Sequence, residues 1–522
     1  MNPGVNDPLS QRKALEMSNH LYSCLIPAER DRDRPCLITA GGRRLTYGEI
    51  DRISARYASA LQSCGVQRGD RVAVQVEKSP EALFVYLGCI RAGAAFLPLN
   101  TAYTLHEIEY FVRDAEPALL IGRPEQAADL EVLADKCGAK HFKTLGADGS
   151  GSMSQLAEKQ TGNWVDVDCG PEDLATILYT SGTTGRSKGA MLSHENLRSN
   201  AQALVETWHF SPDDTLIHAL PIFHAHGLFV ATNVTMLAGA RMIFLPKFDP
   251  EEALGWMPEA TVMMGVPTFY TRLLQNPKLS RQTTNGMRLF ISGSAPLLAE
   301  THKEFQERTG HAIMARYCMT ETSMNTSNPY DGDRVPGSVG FPLSNVEVRV
   351  CEPETGRMLG ADEIGVIEVR GPNVFSSYWR MPEKTAQEFR PDGFFITGDL
   401  GKIDERGYVW ILGRQKDLVI SGGYNVYPKE LELEIDAIPG VMESAVIGIA
   451  HADLGEAVTA VVVRQNGSAI SEAEILTLLR KHLAGYKIPK RVIFTDELPR
   501  NTMAKVQKNV LREQNKGLFI DA

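Results

Sequence analysis

From Pro35 onward the chain alternates short apolar runs with amphipathic stretches that carry their own start signals, a pattern few folds accept. Residues 71–76, 94–99 and 118–121 are predicted strands, and residues 80–92 a helix. Thr46 with Glu49, and Thr104 with Glu107, form capping boxes; after the first, Ile50, Ile53, Tyr57 and Leu61 recur at helical spacing until Gly65. Strand and helix alternating in this way imply parallel sheets covered by helices. The pattern resumes with strands at 216–220 and 240–245, an apolar helix between them, and further strands at 263–267 and 288–292. The first 30 or so residues read as a loosely held lead-in, and residues 122–170 as a peripheral connection. Between 345 and 412 short alternating strands and turn residues suggest a small β-rich subdomain.

A charged joint at 413–417 precedes a segment with predicted strands at 444–449, 458–463 and 491–494 and a capping box at Ser471 and Glu474. It is long enough to fold alone. The expected fold class is therefore α/β. A large N-terminal domain (1–412) has helix-covered, mostly parallel sheets plus a small β-rich subdomain, and a small mobile α+β C-terminal domain (418–522) follows the 413–417 hinge.

The run Tyr179-Thr-Ser-Gly-Thr-Thr-Gly-Arg-Ser-Lys-Gly189 follows an apolar strand and gathers glycines, hydroxyls and a closing lysine. Glycines let the backbone approach a ligand, successive amides cradle an anion, and Lys188 adds a point charge. This is the composition of a phosphate loop. It is not a Walker A loop, because Ser187 stands where that motif places the glycine before its lysine.

A formal net charge of -10 argues against non-specific nucleic-acid binding, which needs a basic face. The eight cysteines are scattered without a C-x-x-C pair, as buried thiols in a reducing compartment would be. His224 and His226 have no further ligand types nearby, which points away from zinc. No apolar run reaches 18 residues and the N-terminus lacks an apolar leader core, so a cytoplasmic enzyme without membrane insertion is expected.

The phosphate-loop run resembles the signature of the adenylate-forming superfamily, which contains acyl-CoA synthetases, luciferases and the adenylation domains of peptide synthetases. The resemblance extends from roughly 35 to 510 and implies ATP, Mg2+ and CoA as reactants or cofactors. By this resemblance Thr180, Ser181, Gly182, Thr183, Thr184 and Lys188 bind phosphate. Arg316-Tyr-Cys-Met-Thr-Glu-Thr322 is similar to the second ATP motif, with Thr320 on phosphate and Glu321 holding magnesium. One carboxylate beside phosphate oxygens suits Mg2+. Ser292, Gly293, Ser294 and Ala295 match the segment along the adenine, with Tyr317 stacked on the ring; Asp399 and Arg414 match the ribose contacts. Lys505 matches the catalytic lysine, a mobile cation that bridges carboxylate and α-phosphate as two anions meet. Gly422, Gly423 and Tyr424 match the loop presented to CoA, and Lys416 the residue about which the small domain swings.

Residues 319–337 and 221–228 resemble the malonyl-CoA synthetases within that superfamily, which implies malonate as the acid. A second carboxylate calls for a fixed cation and donors rather than an apolar tunnel. Arg288, opening a strand that ends in the adenine segment, is the expected cation, with His224 and Met319 beside the acid. Cys318 and Ala504 stand where the superfamily usually has glycine; if either position needs positive φ, a side chain there is strained. Ligases for methylmalonate, other short acids or aryl acids, an enzyme loading a carrier protein, and a nucleotide-binding protein without catalysis are the alternatives.

Overall fold

The computed structural model describes residues 19–519 apart from 181–186, 296, 422–423, 452 and 502–504. Ser181, Gly182, Thr183, Thr184, Gly422, Gly423 and Ala504 therefore lie outside the described residues.

Two large sheets with parallel centres carry the N-terminal region. The seven-stranded one runs, edge to edge, through Ser377–Tyr378, Lys188–Ser193, Leu174–Thr180, Ala95–Pro98, Arg71–Gln75, Leu119–Gly122 and His141–Thr144. The nine-stranded one places Leu289–Ser292 between Val262–Gly265 and Met314–Met319, parallel to both. Antiparallel strands finish the edges, including the hairpin that returns from Met314–Met319 through Ser323–Ser327. Both predicted capping boxes at Thr46 and Thr104 form, on the helices Tyr47–Ser63 and Leu105–Ala115. Each satisfies otherwise orphaned N–H groups and contributes about 1 kcal/mol.

A four-stranded antiparallel sheet (Glu347–Cys351, Gly365–Arg370, Phe395–Ile403, Val409–Arg414) is the expected β-rich unit. Beyond it a five-stranded sheet is built around the long pair Val441–His451 and Gly455–Arg464, with Arg491–Thr495 parallel to the latter. Its own apolar clusters, centred on Val446, Val458 and Leu431 on one face and Ile447, Val461 and Leu511 on the other, are separate from the N-terminal core.

Two expectations need correcting. Residues 19–26 are not loosely held: Asn19 is fully buried and donates to the carbonyls of Ile90 and Val167 (2.8 and 3.1 Å), and Leu21 and Leu25 join the core. Residues 122–170 are more than a connection, since His141–Thr144 pairs in parallel with Leu119–Gly122 as a sheet edge. Alternation is weak in an edge strand, and this one has no buried residue to betray it.

Candidate active site

Parallel strands bring their C-terminal ends to one side of a sheet, and most of the expected site residues lie at such ends or in the turns beyond them. Thr180 ends Leu174–Thr180 and pairs across an antiparallel register with Lys188, so the lysine that closes the phosphate-loop run sits on a strand rather than on a helix. Tyr110 fixes its far flank by donating to the Ser187 carbonyl (2.7 Å).

Lys188 is buried and fully engaged. Its Nζ donates to Glu388 Oε1 (3.0 Å) and to the Tyr378 hydroxyl (2.9 Å). That hydroxyl in turn lies 2.6 Å from Glu388 Oε2 and 3.0 Å from Glu321 Oε1. Burial would raise Glu388, but hydrogen bonds from Lys384, Tyr378 and Lys188 outweigh it and hold the carboxyl below its usual range. The phosphate-loop lysine and the expected magnesium ligand thus share one network through Tyr378. Glu388 lies 200 positions from Lys188 in sequence. No local pattern pointed to it or to Tyr378.

At the other end of the site, Asp399 and Arg414 stand opposite each other on neighbouring strands, Arg414 Nε 2.8 Å from Asp399 Oδ1. The Tyr317 hydroxyl donates to Asp399 Oδ2 (2.5 Å). Ser292 and Gly293 are buried, Ser294 and Ala295 half-buried, and Ser294 takes a left-handed φ of 69°. Such a backbone conformation in a non-glycine residue stores strain and is often found at ligand clamps.

Arg316 lies over Gly293, where a Cβ would sit 2.1 Å from its Cζ, so glycine there admits the guanidinium. The side chain is only 3% exposed, yet Nε and Nη2 have no hydrogen-bond partner, and Nη1 donates to Cys318 Sγ. Burial pushes Arg316 below its ordinary pKa. Around it, further polar atoms are buried without partners: Ser292 Oγ, His224 Nε2 and His226 Nε2. His226 Nδ1 is 3.3 Å from Ser294 Oγ. Burial lowers His224 to about 4, and burial with Arg316 and the neighbouring histidines depresses His226 further. Both rings are neutral near pH 7 and can hydrogen-bond an anion without supplying charge. Met319 and Glu321 are buried at the end of the same hairpin, Thr320 half-buried between them.

Arg288 is not in the site. It opens its strand at the opposite end from Ser292 and forms a bidentate pair with Asp214 (2.7 and 2.8 Å), donating also to the Trp208 and His209 carbonyls. Arg288 and Thr261 hold Asp214 below its usual range against the opposing effect of burial. Arg288→Ala is expected to cost about 1.5–3 kcal/mol in stability, the usual worth of hydrogen bonds to a charged group. It should leave the acid requirement unchanged; denaturant melts and acid saturation curves check the two halves. The unpaired cation beside Gly293 is Arg316, whose signal was an arginine inside a strand otherwise built for burial.

The Cys318 backbone is strand-like and absent from the left-handed residues, so replacing glycine costs no strain there. In the C-terminal region Lys505 is near enough to Arg414, Asp399, Lys416 and Asp417 for their charges to act on it. Desolvation, with Arg414 and Lys416 nearby, pulls it below the ordinary lysine range, against Asp399 and Asp417. The residue is exposed to water. Lys416 is exposed in a short helical turn, Gln415–Asp417, and Asp417 pairs with Arg512 (2.6 Å). Tyr424 is exposed and stacks on Tyr486, ring centroids 4.7 Å apart. No helix of the described residues is long and apolar enough to cross a membrane.

Residues 26–379 match the AMP-binding enzyme family, and residues 430–505 its C-terminal domain. The chain belongs to the AMP-binding enzyme family. Among relatives, the feruloyl-CoA synthase of an Amycolatopsis species is 36% identical over 94% of this chain and 98% of its own. The mitochondrial malonate–CoA ligase of Mus musculus is 34% identical over 92% and 88%. ATP-bound MatB from Rhodopseudomonas palustris is 61% identical over 96% of this chain and 100% of its own, with a TM-score of 0.94. The apo form of that protein, at the same identity, gives 0.84. The chain as a whole thus superposes more closely on the ATP-bound form than on the apo form. The family together with these relatives makes the chain an AMP-forming acid–CoA ligase that uses ATP.

Proposed function

We propose that this enzyme is an ATP-dependent malonate–CoA ligase working through malonyl-adenylate. The observation that carries the acid's identity is the Arg316 guanidinium, buried with Nε and Nη2 unpaired. A buried charge without a partner is costly, and a ligand anion that pairs with it recovers that cost. Malonate brings two carboxylates. One docks on the Nε and Nη2 edge of Arg316 as a bidentate pair, with His224, His226 and Ser292 as neutral partners and Met319 as an apolar wall. The other is left facing the α-phosphate. The likeness to MatB and to the mouse malonate–CoA ligase supports the same reading.

In the first half-reaction a carboxylate oxygen attacks the α-phosphorus, and the bond from that phosphorus to the pyrophosphate bridging oxygen breaks. Thr180, Ser181, Gly182, Thr183 and Thr184 cradle the β- and γ-phosphates with Lys188. Ser292 to Ala295 and Tyr317 hold the adenine, and Asp399 and Arg414 the ribose. Lys505 bridges acid and α-phosphate as charge moves onto pyrophosphate. Glu321 would hold Mg2+ with Thr320 alongside. A single buried carboxylate facing a phosphate loop fits that ion, which takes few protein ligands and keeps phosphate oxygens and water. When bound, the ion neutralises charge on the phosphates.

In the second half-reaction the small domain turns about Lys416 and brings Gly422, Gly423 and Tyr424 to the pantetheine arm. The CoA sulfur then attacks the acyl carbon, and AMP leaves with the electron pair of the broken C–O bond. Such a domain movement separates the two steps in time.

Pyrophosphate release with MgATP and CoA, measured across malonate, methylmalonate, acetate, octanoate and 4-coumarate, tests the assignment. Malonate is expected well ahead of acetate and octanoate. A preference for octanoate or coumarate would remove Arg316 as the partner of a second carboxylate.

A further inference from the structure

Lys78 follows the strand Arg71–Gln75 of the seven-stranded sheet, and His218 ends the strand Thr215–His218 of the nine-stranded one. Lys78 Nζ lies 3.0 Å from His218 Nδ1 and donates to the His218 carbonyl (2.7 Å), so the pair ties the two sheets where their strands end. Both residues are buried, and Nζ also sits 4.2 Å from the centre of the Phe244 ring. Burial pushes Lys78 well below the ordinary lysine range, and no carboxylate among the described residues opposes it. On the far side of the His218 ring, Nε2 meets the Gly227 carbonyl (2.9 Å). A carbonyl only accepts, so Nε2 carries the ring proton, Nδ1 is bare, and Lys78 is the donor that fixes this tautomer. Gly227 belongs to the π-helical segment His226–Thr232, a rare geometry often found at functional sites. It packs so closely on the Pro221 carbonyl that a Cβ has no room there. Residues 221–227 therefore form a closed loop, pinned from behind by His218, and the loop carries His224 and His226, whose Nε2 atoms are buried without partners.

We propose that Lys78, acting through His218, is a positioning residue for the second carboxylate of the acid. The inference rests on the reading of Arg316 as the cation of the acid pocket. Lys78 holds the imidazole, the imidazole holds the Gly227 carbonyl, and that carbonyl sets where His224 and His226 present Nε2 to the carboxylate on Arg316. Both rings are neutral, so they select an acid by position rather than by charge. A displacement of about 1 Å in such a contact can cost up to a hundredfold. The reacting carboxylate and the nucleotide depend on other parts of the chain, so the effect of Lys78 is confined to acids with a second carboxylate.

The test compares wild type, Lys78→Met, Lys78→Gln and Arg316→Leu in steady-state kinetics with malonate, acetate and ATP, alongside a thermal melt. Lys78→Met is expected to raise the malonate KM on the order of tenfold while kcat and the ATP KM stay nearly unchanged. Acetate, which has no second carboxylate, should keep its kcat/KM. The melting temperature should hold, because a buried lysine without an ion partner is exchanged for an apolar chain of similar bulk. Lys78→Gln keeps an N–H donor behind the ring and should need less malonate than Lys78→Met. An unchanged malonate KM overturns the proposal. So do equal losses for malonate and acetate, a Lys78→Met protein that does not fold, or the reverse order of the two variants. Arg316→Leu separates the two layers. If it loses malonate but not acetate while Lys78→Met matches wild type, the positioning role is lost and the acid pocket stands. If Arg316→Leu keeps the wild-type preference for malonate, both fall.

Discussion

Arg316→Leu is expected to lower kcat/KM for malonate on the order of a thousandfold, the usual loss when one partner of a buried, hydrogen-bonded charge pair is truncated. The ATP requirement should hardly move, because the nucleotide contacts lie with Lys188, Asp399 and Arg414. The same substitution should leave thermal stability unchanged or raised. In the unliganded protein the guanidinium is 3% exposed with two of its nitrogens unpaired, and replacing an unsatisfied buried charge with an apolar group of similar bulk is often neutral or stabilising. An enzyme that melts at the same or a higher temperature and has lost malonate alone cannot be explained by unfolding. Steady-state kinetics in both substrates, together with a thermal melt, measure this. A lowered melting temperature with an equal loss for malonate and ATP would make Arg316 a structural residue.

Lys505→Ala should reduce adenylate formation by about 10²–10³, the scale of removing one preorganised charge-stabilising group. It should leave thioester formation from supplied malonyl-adenylate within severalfold of the wild type. Equal loss in both half-reactions would refute the division of labour between Lys505 and the Gly422–Gly423 segment. The wild-type pH profile offers a second handle. Lys505 works as a cation, which is the form present below its pKa, and its surroundings hold that pKa under the ordinary lysine range. Adenylation should therefore fall as pH rises, at a pH lower than an ordinary lysine would impose. Lys505→Arg, whose guanidinium does not deprotonate in proteins, should flatten that alkaline fall even if its rate is lower.

Much of the frame could be read from local patterns. The capping boxes at Thr46, Thr104 and Ser471 all form, because each depends only on residues three apart. The strand ending at Thr180 forms as its apolar run predicts, and Asp399 and Arg414 meet on neighbouring strands. The acid-pocket cation was misplaced for a topological reason. Arg288 immediately precedes the strand that ends at Ser292, but four residues of extended chain span about 13 Å, and only the C-terminal end of a parallel strand faces the crevice. Arg316 was in view within a nucleotide motif, and its orphaned guanidinium becomes evident only once Gly293 is packed beneath it. The Lys188–Glu388–Tyr378–Glu321 network joins residues up to 200 positions apart, beyond the reach of any periodicity. Asn19 likewise needs the carbonyls of Ile90 and Val167 before its burial makes sense.

The most direct test of the central claim is acid-dependent exchange of labelled pyrophosphate into ATP with CoA left out. Reversible formation of malonyl-adenylate predicts rapid exchange with malonate, little with acetate, and exchange about 10²–10³ slower in Lys505→Ala. Exchange that requires CoA, or that runs as fast with acetate as with malonate, would contradict either the adenylate or the role of the second carboxylate.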